Sequence, residues 1–521
     1  MTPPVTPLPD LAAGYQAAAY RMILPEVALL AVACLLFLVG LATPRRLVAW
    51  VVGLLGLALA AGLALAPAVG GAELGLFGDP AVGRTLAPFD PTGLAGFTRW
   101  LALGTALVVL LTAWPELTDG TAAEYVGCLL VVAAGTSLCG RANDLVSLYL
   151  SLELLSIPTY VLLMVAGRGQ PGQEASVKYF LLSVLSSAVL LFGFSYLYGM
   201  AGSTNLGAVV ATLTDAHVTA VNPLAVVAAV LAVAGLGFRI TAVPFHWYAP
   251  DVYQGGPTGV VTLLATAPKV AGFVALARVL GLAGPAAGVP FDASHTLVPL
   301  TLWTLAVATM TLGNVLALLQ TDLRRLLAYS GVAHGGYMLI GLVTASAGAA
   351  PAGGLPTGVD AVLIYLVAYI LMTAGFFAVL LHLGEGVRTG DDLAGLGETH
   401  PVSAGLLAVS LLSLIGLPLT AGFVGKLLLF VAAFNAPATT PMGGGFRVLA
   451  VVAAVNAAIG AVYYLRLLGV MYLRSALHPL PRGKAGPALL AAALCAVGTV
   501  ALGVYPKPVS DAARVAVPAK Q

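Results

Sequence analysis

Apolar stretches of about 17 to 25 residues follow one another along almost the whole chain, and each is long enough to cross a bilayer as an α-helix. About fourteen spans result, near 22–43, 47–67, 94–114, 121–139, 143–167, 174–199, 222–242, 257–281, 295–319, 322–347, 357–383, 403–434, 443–473 and 487–505. Of the 521 residues, 60% are apolar and only 8% charged, against about 25% charged in a soluble domain. The expected fold class is an all-α polytopic membrane protein. Loops are short, the longest near 68–93, so no extramembrane domain is expected to bind a soluble substrate. A net charge of +2 without a basic stripe excludes a nucleic-acid partner.

Cys34, Cys128, Cys139 and Cys495 are scattered singly through apolar segments, and the separation of Cys128 from Cys139 fits no zinc or iron–sulfur spacing. They read as small buried hydrophobes. The opening MTPPVTPLPD lacks the basic region of a cleaved signal peptide and reads as a short exposed tail. Basic residues in loops set orientation. Arg45, Arg46, Arg168, Lys178, Arg324, Arg325, Arg388, Arg474, Arg482 and Lys484 fall on one side; Arg84, Arg99, Arg141, Arg278 and Arg447 fall on the other. That bias places the first side in the cytoplasm and both termini outside.

Against this background the buried charges stand out, because a charge at the centre of a membrane helix costs about 2.5 to 3.5 kcal/mol on insertion scales. Lys269 lies in the run from Thr258 to Gly281, whose only other charge is Arg278. Lys426 is the one charged residue from Val402 to Ala436. Such residues point to ion or proton movement across the bilayer. Glu153 lies near the middle of its span and is expected to be either neutral or paired with a cation. The segment Gly235-Leu-Gly-Phe-Arg239-Ile-Thr-Ala-Val-Pro244-Phe-His246-Trp-Tyr-Ala-Pro250 holds two prolines that no continuous helix accommodates. A broken helix at membrane depth must be satisfied by protein or a water-filled cavity, which makes Arg239 a candidate ion-site residue and His246 a candidate for a proton path. A second interruption, Leu414-Ile-Gly416-Leu-Pro418-Leu-Thr420-Ala-Gly422, precedes Lys426.

Two broken cationic spans in corresponding places suggest an inverted repeat. Five spans run over 121–281 and five over 295–475, each with its broken span fourth in order and with Arg239 and Lys426 as counterparts. Residues 1–120 supply additional N-terminal helices, and 485–521 a C-terminal helix and tail. His334, in Tyr329-Ser-Gly-Val-Ala-His, reads equally as a proton-relay member or a packing residue. Arg324 and Arg325 read as a membrane-surface anchor, and Glu124 and Lys178 as residues at helix ends that reach for water. Arg466 lies deeper in its span.

Several of these segments resemble one family. Asn143-Asp-Leu through Glu153-Leu-Leu-Ser, Val243-Pro-Phe-His246-Trp, Pro250-Asp-Val-Tyr253, Leu312-Gly-Asn314, Arg325-Leu-Leu-Ala-Tyr-Ser330 and Thr420-Ala-Gly-Phe-Val-Gly-Lys426 look like the subunit N family of the respiratory NADH-quinone oxidoreductase (complex I). The similarity runs from about residue 120 to 475 with its motifs in order. It implies two inverted five-helix bundles with extra helices at both ends, and proton translocation driven by quinone reduction elsewhere in the assembly. It places Glu153 at the carboxylate position of the first half, Lys269 between the halves, and Lys426 in the second broken helix. The chain departs from the family at Arg239, where lysine is usual. The resemblance further implies no cofactor in this chain. Flavin, iron–sulfur clusters and ubiquinone or menaquinone would belong to partner subunits, which include antiporter-like sister subunits in the cell inner membrane or plasma membrane. A subunit of a multi-subunit cation/proton antiporter or membrane-bound hydrogenase, and a non-conducting helical scaffold, are the alternatives.

Overall fold

The computed structural model describes residues 21–66, 89, 93–167, 169–214, 223–283, 297–346, 358–384, 386–436, 442–476 and 486–517. Helices succeed one another in the order α1 (Leu24–Ala42), α2 (Arg46–Leu65), α3 (Gly93–Thr112), α4 (Ala122–Arg141), α5 (Leu145–Ala166), α6 (Gly169–Ala201), α7 (Leu206–Thr214) and α8 (Pro223–Arg239). They continue with α9 (Tyr248–Gly255), α10 (Thr258–Val279), α11 (Leu297–Leu318), α12 (Leu323–Ser346), α13 (Gly358–Leu383) and the single turn α14 (Leu396–Thr399). The remainder are α15 (Pro401–Ile415), α16 (Ala421–Phe434), α17 (Gly443–Leu473), α18 (Gly486–Val504) and α19 (Lys507–Ala516). Among the described residues, twelve helices are long and apolar enough to cross a membrane.

Two expected spans are not single long helices. The stretch expected at 403–434 is divided into α15 and α16 by Gly416 at φ 88°, Pro418 and Leu419 at φ 70°. Gly416 is the left-handed cap that ends α15, and the ring of Pro418 prevents its resumption before Thr420. The stretch expected at 222–242 ends at Arg239, and residues 240–247 run irregularly into α9. Thr241 there adopts φ 56°. For β-branched residues that conformation is an outlier, and strain of this kind costs about 1–3 kcal/mol. The expected C-terminal tail instead contains α19, which packs on α3 and α13.

Burial sorts the helices by role. Every residue of α10 is buried, as is nearly all of α12 and α13. Around α10 pack α3, α4, α5, α8, α12 and α13. On the periphery Leu38, Leu55, Leu185, Val451 and Val497 are each at least 60% exposed. In a spanning protein such faces meet lipid tails, not water. The helix carrying Lys269 is therefore the axis of the molecule, screened on all sides by other helices.

The loop assignment of three arginines is corrected. Arg99 lies within α3, 3% exposed, and grips Glu26 of α1 through Nε at 2.7 Å and Nη2 at 2.8 Å. Its Nη2 also donates to the Met22 carbonyl at 2.6 Å, and Ser137 of α4 donates to the same carboxylate. Arg141 and Arg278 are likewise buried at the ends of α4 and α10. A buried arginine says nothing about which loop is cytoplasmic, so these three leave the orientation count. Arg84, Arg168, Arg482, Lys484 and the first twenty residues lie outside the described residues.

Candidate functional site

The first polar cluster forms where α5, α6 and α8 meet. Asp144 starts α5 by accepting the backbone N–H groups of Val146 at 2.9 Å and Ser147 at 2.8 Å. From that start, Leu152, Glu153 and Ser156 arrive on adjoining positions of the helix surface. Ser187 of α6 donates to Glu153 Oε1 at 2.5 Å. Arg239, the last residue of α8 and 1% exposed, donates through Nη2 to Glu153 Oε1 and to Ser187 Oγ, both at 3.2 Å. Its Nη1 donates to the Leu152 carbonyl at 3.2 Å and to Ser156 Oγ. The guanidinium thus has a carboxylate, two hydroxyls and a carbonyl in place of water. Burial of a charge demands that kind of compensation.

The second cluster uses the break after Arg239. Lys269 extends from the middle of α10, and its Nζ donates to Thr241 Oγ1 at 2.5 Å, Gly331 O at 2.9 Å and Ile240 O at 3.4 Å. The Tyr369 ring centroid lies 5.6 Å from the ammonium. Close approach of α10 to the break depends on Gly272, where a Cβ would come within 2.6 Å of Ile240 Cγ2. The ends freed by the broken helix therefore become the ligands of the lysine, and the left-handed Thr241 presents its hydroxyl to it.

A third cluster continues along α12. His334 lies one turn beyond Ser330, with Nδ1 2.6 Å from Tyr365 Oη and Nε2 3.3 Å from Tyr464 Oη. Tyr464 shares a hydrogen bond with Ser330, the neighbour of the Gly331 carbonyl that holds Lys269. The Tyr365 ring packs against Gly425, where a Cβ would lie 2.2 Å from Cδ2. The next residue is Lys426. Its Nζ donates to Leu414 O at 2.9 Å and Ile415 O at 2.8 Å, the orphan carbonyls at the end of α15, and lies 5.2 Å from the Tyr337 ring. Neither Lys269 nor Lys426 has a carboxylate within ion-pair distance among the described residues.

One ion-paired site at Glu153–Arg239 is thus followed by two lysines held by neutral acceptors, with an imidazole and hydroxyls between them. Proton exchange needs groups that can be charged or neutral in the same place, and Lys269, His334 and Lys426 are of that type. Arg239 carries a guanidinium, which supplies fixed charge and not an exchangeable proton. Arg239 and Lys426 differ in position: Arg239 ends the helix before its break, whereas Lys426 follows its break and reaches back across it.

His246 lies in the break, 3% exposed, stacked on Trp247, and its Nδ1 has no partner among the described residues. Lys178 pairs with Glu174 at 2.6 Å and with Asp251 of α9 at 2.7 Å, and Arg325 grips the other Asp251 oxygen at 2.6 Å. Lys178 is thus tied to α9 in place of reaching freely for water, and Arg325 is a joint between α9 and α12 as well as an anchor. Glu124 is half-buried in the first turn of α4, and Arg466 is exposed on α17. Sequence reasoning did not select Thr241, Ser187, Ser330, Tyr365 or Tyr464. Nor did it select Glu116, whose carboxylate accepts the N–H of Thr258 at 2.6 Å and of Gly259 at 2.8 Å and so caps the Lys269 helix.

Comparison with known proteins agrees in both sequence and shape. Residues 142–464 match the family described as NADH:quinone oxidoreductase/Mrp antiporter, TM. NADH-quinone oxidoreductase subunit N of Desulfovibrio desulfuricans is 37% identical over 517 residues, covering 93% of this chain and 94% of its own. Its counterpart from Desulfitobacterium hafniense is 36% identical, over 81% of this chain and 84% of its own. A chain in the solved structure of respiratory complex I from Thermus thermophilus superposes with a TM-score of 0.76 at 32% identity, covering 95% of this chain and all of that one.

Proposed function

This chain belongs to the NADH:quinone oxidoreductase/Mrp antiporter transmembrane family, and from that premise we propose that it is the proton-translocating membrane subunit of an NADH-quinone oxidoreductase. The observation that carries the reading is the row itself. Lys269 and Lys426, each buried with no carboxylate partner among the described residues, are bridged by Gly331, Ser330, Tyr464, His334 and Tyr365, the last packed on Gly425 beside Lys426. A neutral lysine at either site takes up a proton to become a cation held by carbonyls and hydroxyls, and releases it when a neighbouring positive charge appears. Glu153 and Arg239 set the electrostatics of one end. When the pair is closed, Glu153 offsets the guanidinium; when it opens, the uncompensated positive charge of Arg239 favours deprotonation of Lys269. Moving one charge through 100 mV requires about 2.3 kcal/mol, a magnitude comparable with what re-forming one opened, partly buried ion pair returns.

In this reading the electrons never enter the chain. Flavin, iron–sulfur clusters and quinone belong to partner subunits, and antiporter-like sister subunits flank it in the cell inner or plasma membrane. The units 121–281 and 295–475 are its two inverted halves, meeting at Lys269, with both termini on the non-cytoplasmic side. Replacement of Lys269 or Lys426 by alanine in the assembled complex is expected to lower proton pumping in reconstituted vesicles while the complex still forms. Full pumping by both single variants at normal complex levels refutes the proposal.

A further inference from the structure

The row lies deep inside the protein, and a route to water must join it somewhere. A cavity of about 190 Å³ opens between α11, α12, α17 and the 389–391 turn. Its polar lining comprises Gln320, Thr321, Thr389, Asp391, Arg466 and Tyr463. It lies on the face that carries Arg325, Arg388 and Arg474, the last bonded to Asp391 at 3.0 Å.

Three helices define its inner end by their own periodicity. Leu318, Leu326 and Arg466 contribute to the lining. One turn deeper, three or four residues back along α11 and α17 and onward along α12, stand Asn314, Tyr463 and Ser330. Tyr463 belongs to both levels. It lines the cavity, it is 4% exposed, and its hydroxyl donates to Asn314 Oδ1 at 3.1 Å. Its ring centroid lies 4.3 Å from that of Tyr464, whose hydroxyl bonds Ser330. Gly460, one turn further along α17, leaves room for the Asn314 amide, because a Cβ there would lie 3.0 Å from Oδ1. The amide is held in turn by Tyr337 at 3.1 Å and Asn456 at 3.3 Å.

We infer that this cavity is the aqueous port of the Lys269–Lys426 row, and that Tyr463 is the hydroxyl through which protons pass between cavity water and the Ser330–Tyr464–His334 cluster. The inference rests on the proton-translocating reading above. The transfer balances within the hydroxyl chain. A hydronium ion in the cavity gives a proton to the Tyr463 oxygen as the phenolic proton of Tyr463 passes to Tyr464 or Ser330, and the next hydroxyl proton passes to His334 Nε2. Tyr463 remains neutral, and no oxidant or reductant takes part. While the hydroxyl donates to Asn314 it is turned from the cluster, so the Asn314 bond is a latch and rotation about the phenol C–O bond opens the path. Arg466 at the rim disfavours a resident proton, which keeps the port a passage and not a storage site. The port enters midway between the lysines, so both can exchange through it.

The experiment uses the whole complex in vesicles, scored as protons moved per quinone reduced. Tyr463→Phe keeps the ring and removes only the hydroxyl; this ratio is expected to fall at least several-fold with the amount of assembled complex unchanged. In a Cys34→Ser background, where this chain's remaining cysteines are buried, Leu326→Cys is expected to be labelled in this chain by a membrane-impermeant maleimide and to lose pumping as it is, while the Cys34→Ser parent treated alike keeps pumping. The port is overturned if Tyr463→Phe pumps at the unaltered ratio, if Leu326→Cys does not react, or if fully labelled complex pumps normally. Lys426→Ala is run beside them. Loss of pumping there with normal pumping in the port variants overturns the port alone, whereas normal pumping in all of them overturns the translocating reading itself.

Discussion

The Glu153–Arg239 pair gives the sharpest test of how the first cluster is built. With 3.2 Å between Nη2 and Oε1, an effective dielectric of about 20 gives an attraction of about 5 kcal/mol before desolvation is charged against it. The carboxylate side chain is 19% exposed, and Ser187 bonds both partners, so part of that attraction is replaced when either charge is lost. A coupling of about 1–3 kcal/mol is expected, a factor of roughly 5 to 150. The two single variants are expected to differ. Glu153→Gln leaves the guanidinium with Ser156, Ser187 and Leu152 O, whereas Arg239→Gln leaves a carboxylate with Ser187 and no cation. Arg239→Gln is therefore the more damaging, and the double variant is less harmful than the sum. The assay is proton pumping per quinone reduced, with the midpoint of thermal inactivation of the assembled complex as a second readout. Losses additive to within about 0.3–0.5 kcal/mol in both readouts refute the coupling.

Arg239→Lys is expected to keep substantial pumping, because the charge is retained, but to lower the thermal midpoint, because one ammonium cannot serve all four partners of the guanidinium; Arg239→Ala is expected to reduce pumping without dispersing the assembly, and equal loss of complex in both variants contradicts this. Thr241→Val removes the shortest hydrogen bond to Lys269 while keeping the β-branched shape, and is expected to slow pumping with assembly intact, which vesicle acidification measures. Glu116→Ala removes the carboxylate cap of the Lys269 helix and is expected to cost about 1 kcal/mol, visible as a lower midpoint of thermal inactivation. Arg99→Leu leaves Glu26 buried without its cation, costs about 3–5 kcal/mol, and is expected to deplete the chain from membranes; immunodetection of the membrane fraction checks it.

How much of this was readable from sequence depended on whether a residue's cost shows locally. Lys269, Lys426 and Glu153 declare themselves because a charge in an apolar run is expensive wherever the rest of the chain goes. The breaks declare themselves because proline removes a donor from its own helix. Arg99 shows the opposite case. Six residues into its helix it looks like a loop cation, and nothing near it in the chain announces Glu26, whose carboxylate is 73 residues away. Tyr365, Tyr369 and Tyr464 are inconspicuous in the sequence for a related reason. Tyrosine is common at both ends of membrane spans, so its type does not distinguish a phenol in the headgroup layer from one against a buried lysine. Serine and threonine are small enough to be absorbed by their own helices through bonds to a carbonyl one turn back, as Ser156, Thr159 and Thr262 are in this chain. What turns such residues into a path is the convergence of several helices on one level. Gly272, Gly331 and Gly425 are where that convergence leaves a trace in the sequence, because each marks a place where a neighbouring group comes too close for a Cβ. A glycine beside a buried lysine, as at Gly425–Lys426, is therefore the most informative signal for the groups that surround the charge, and it identifies the helix face where the missing hydroxyl partner has to lie.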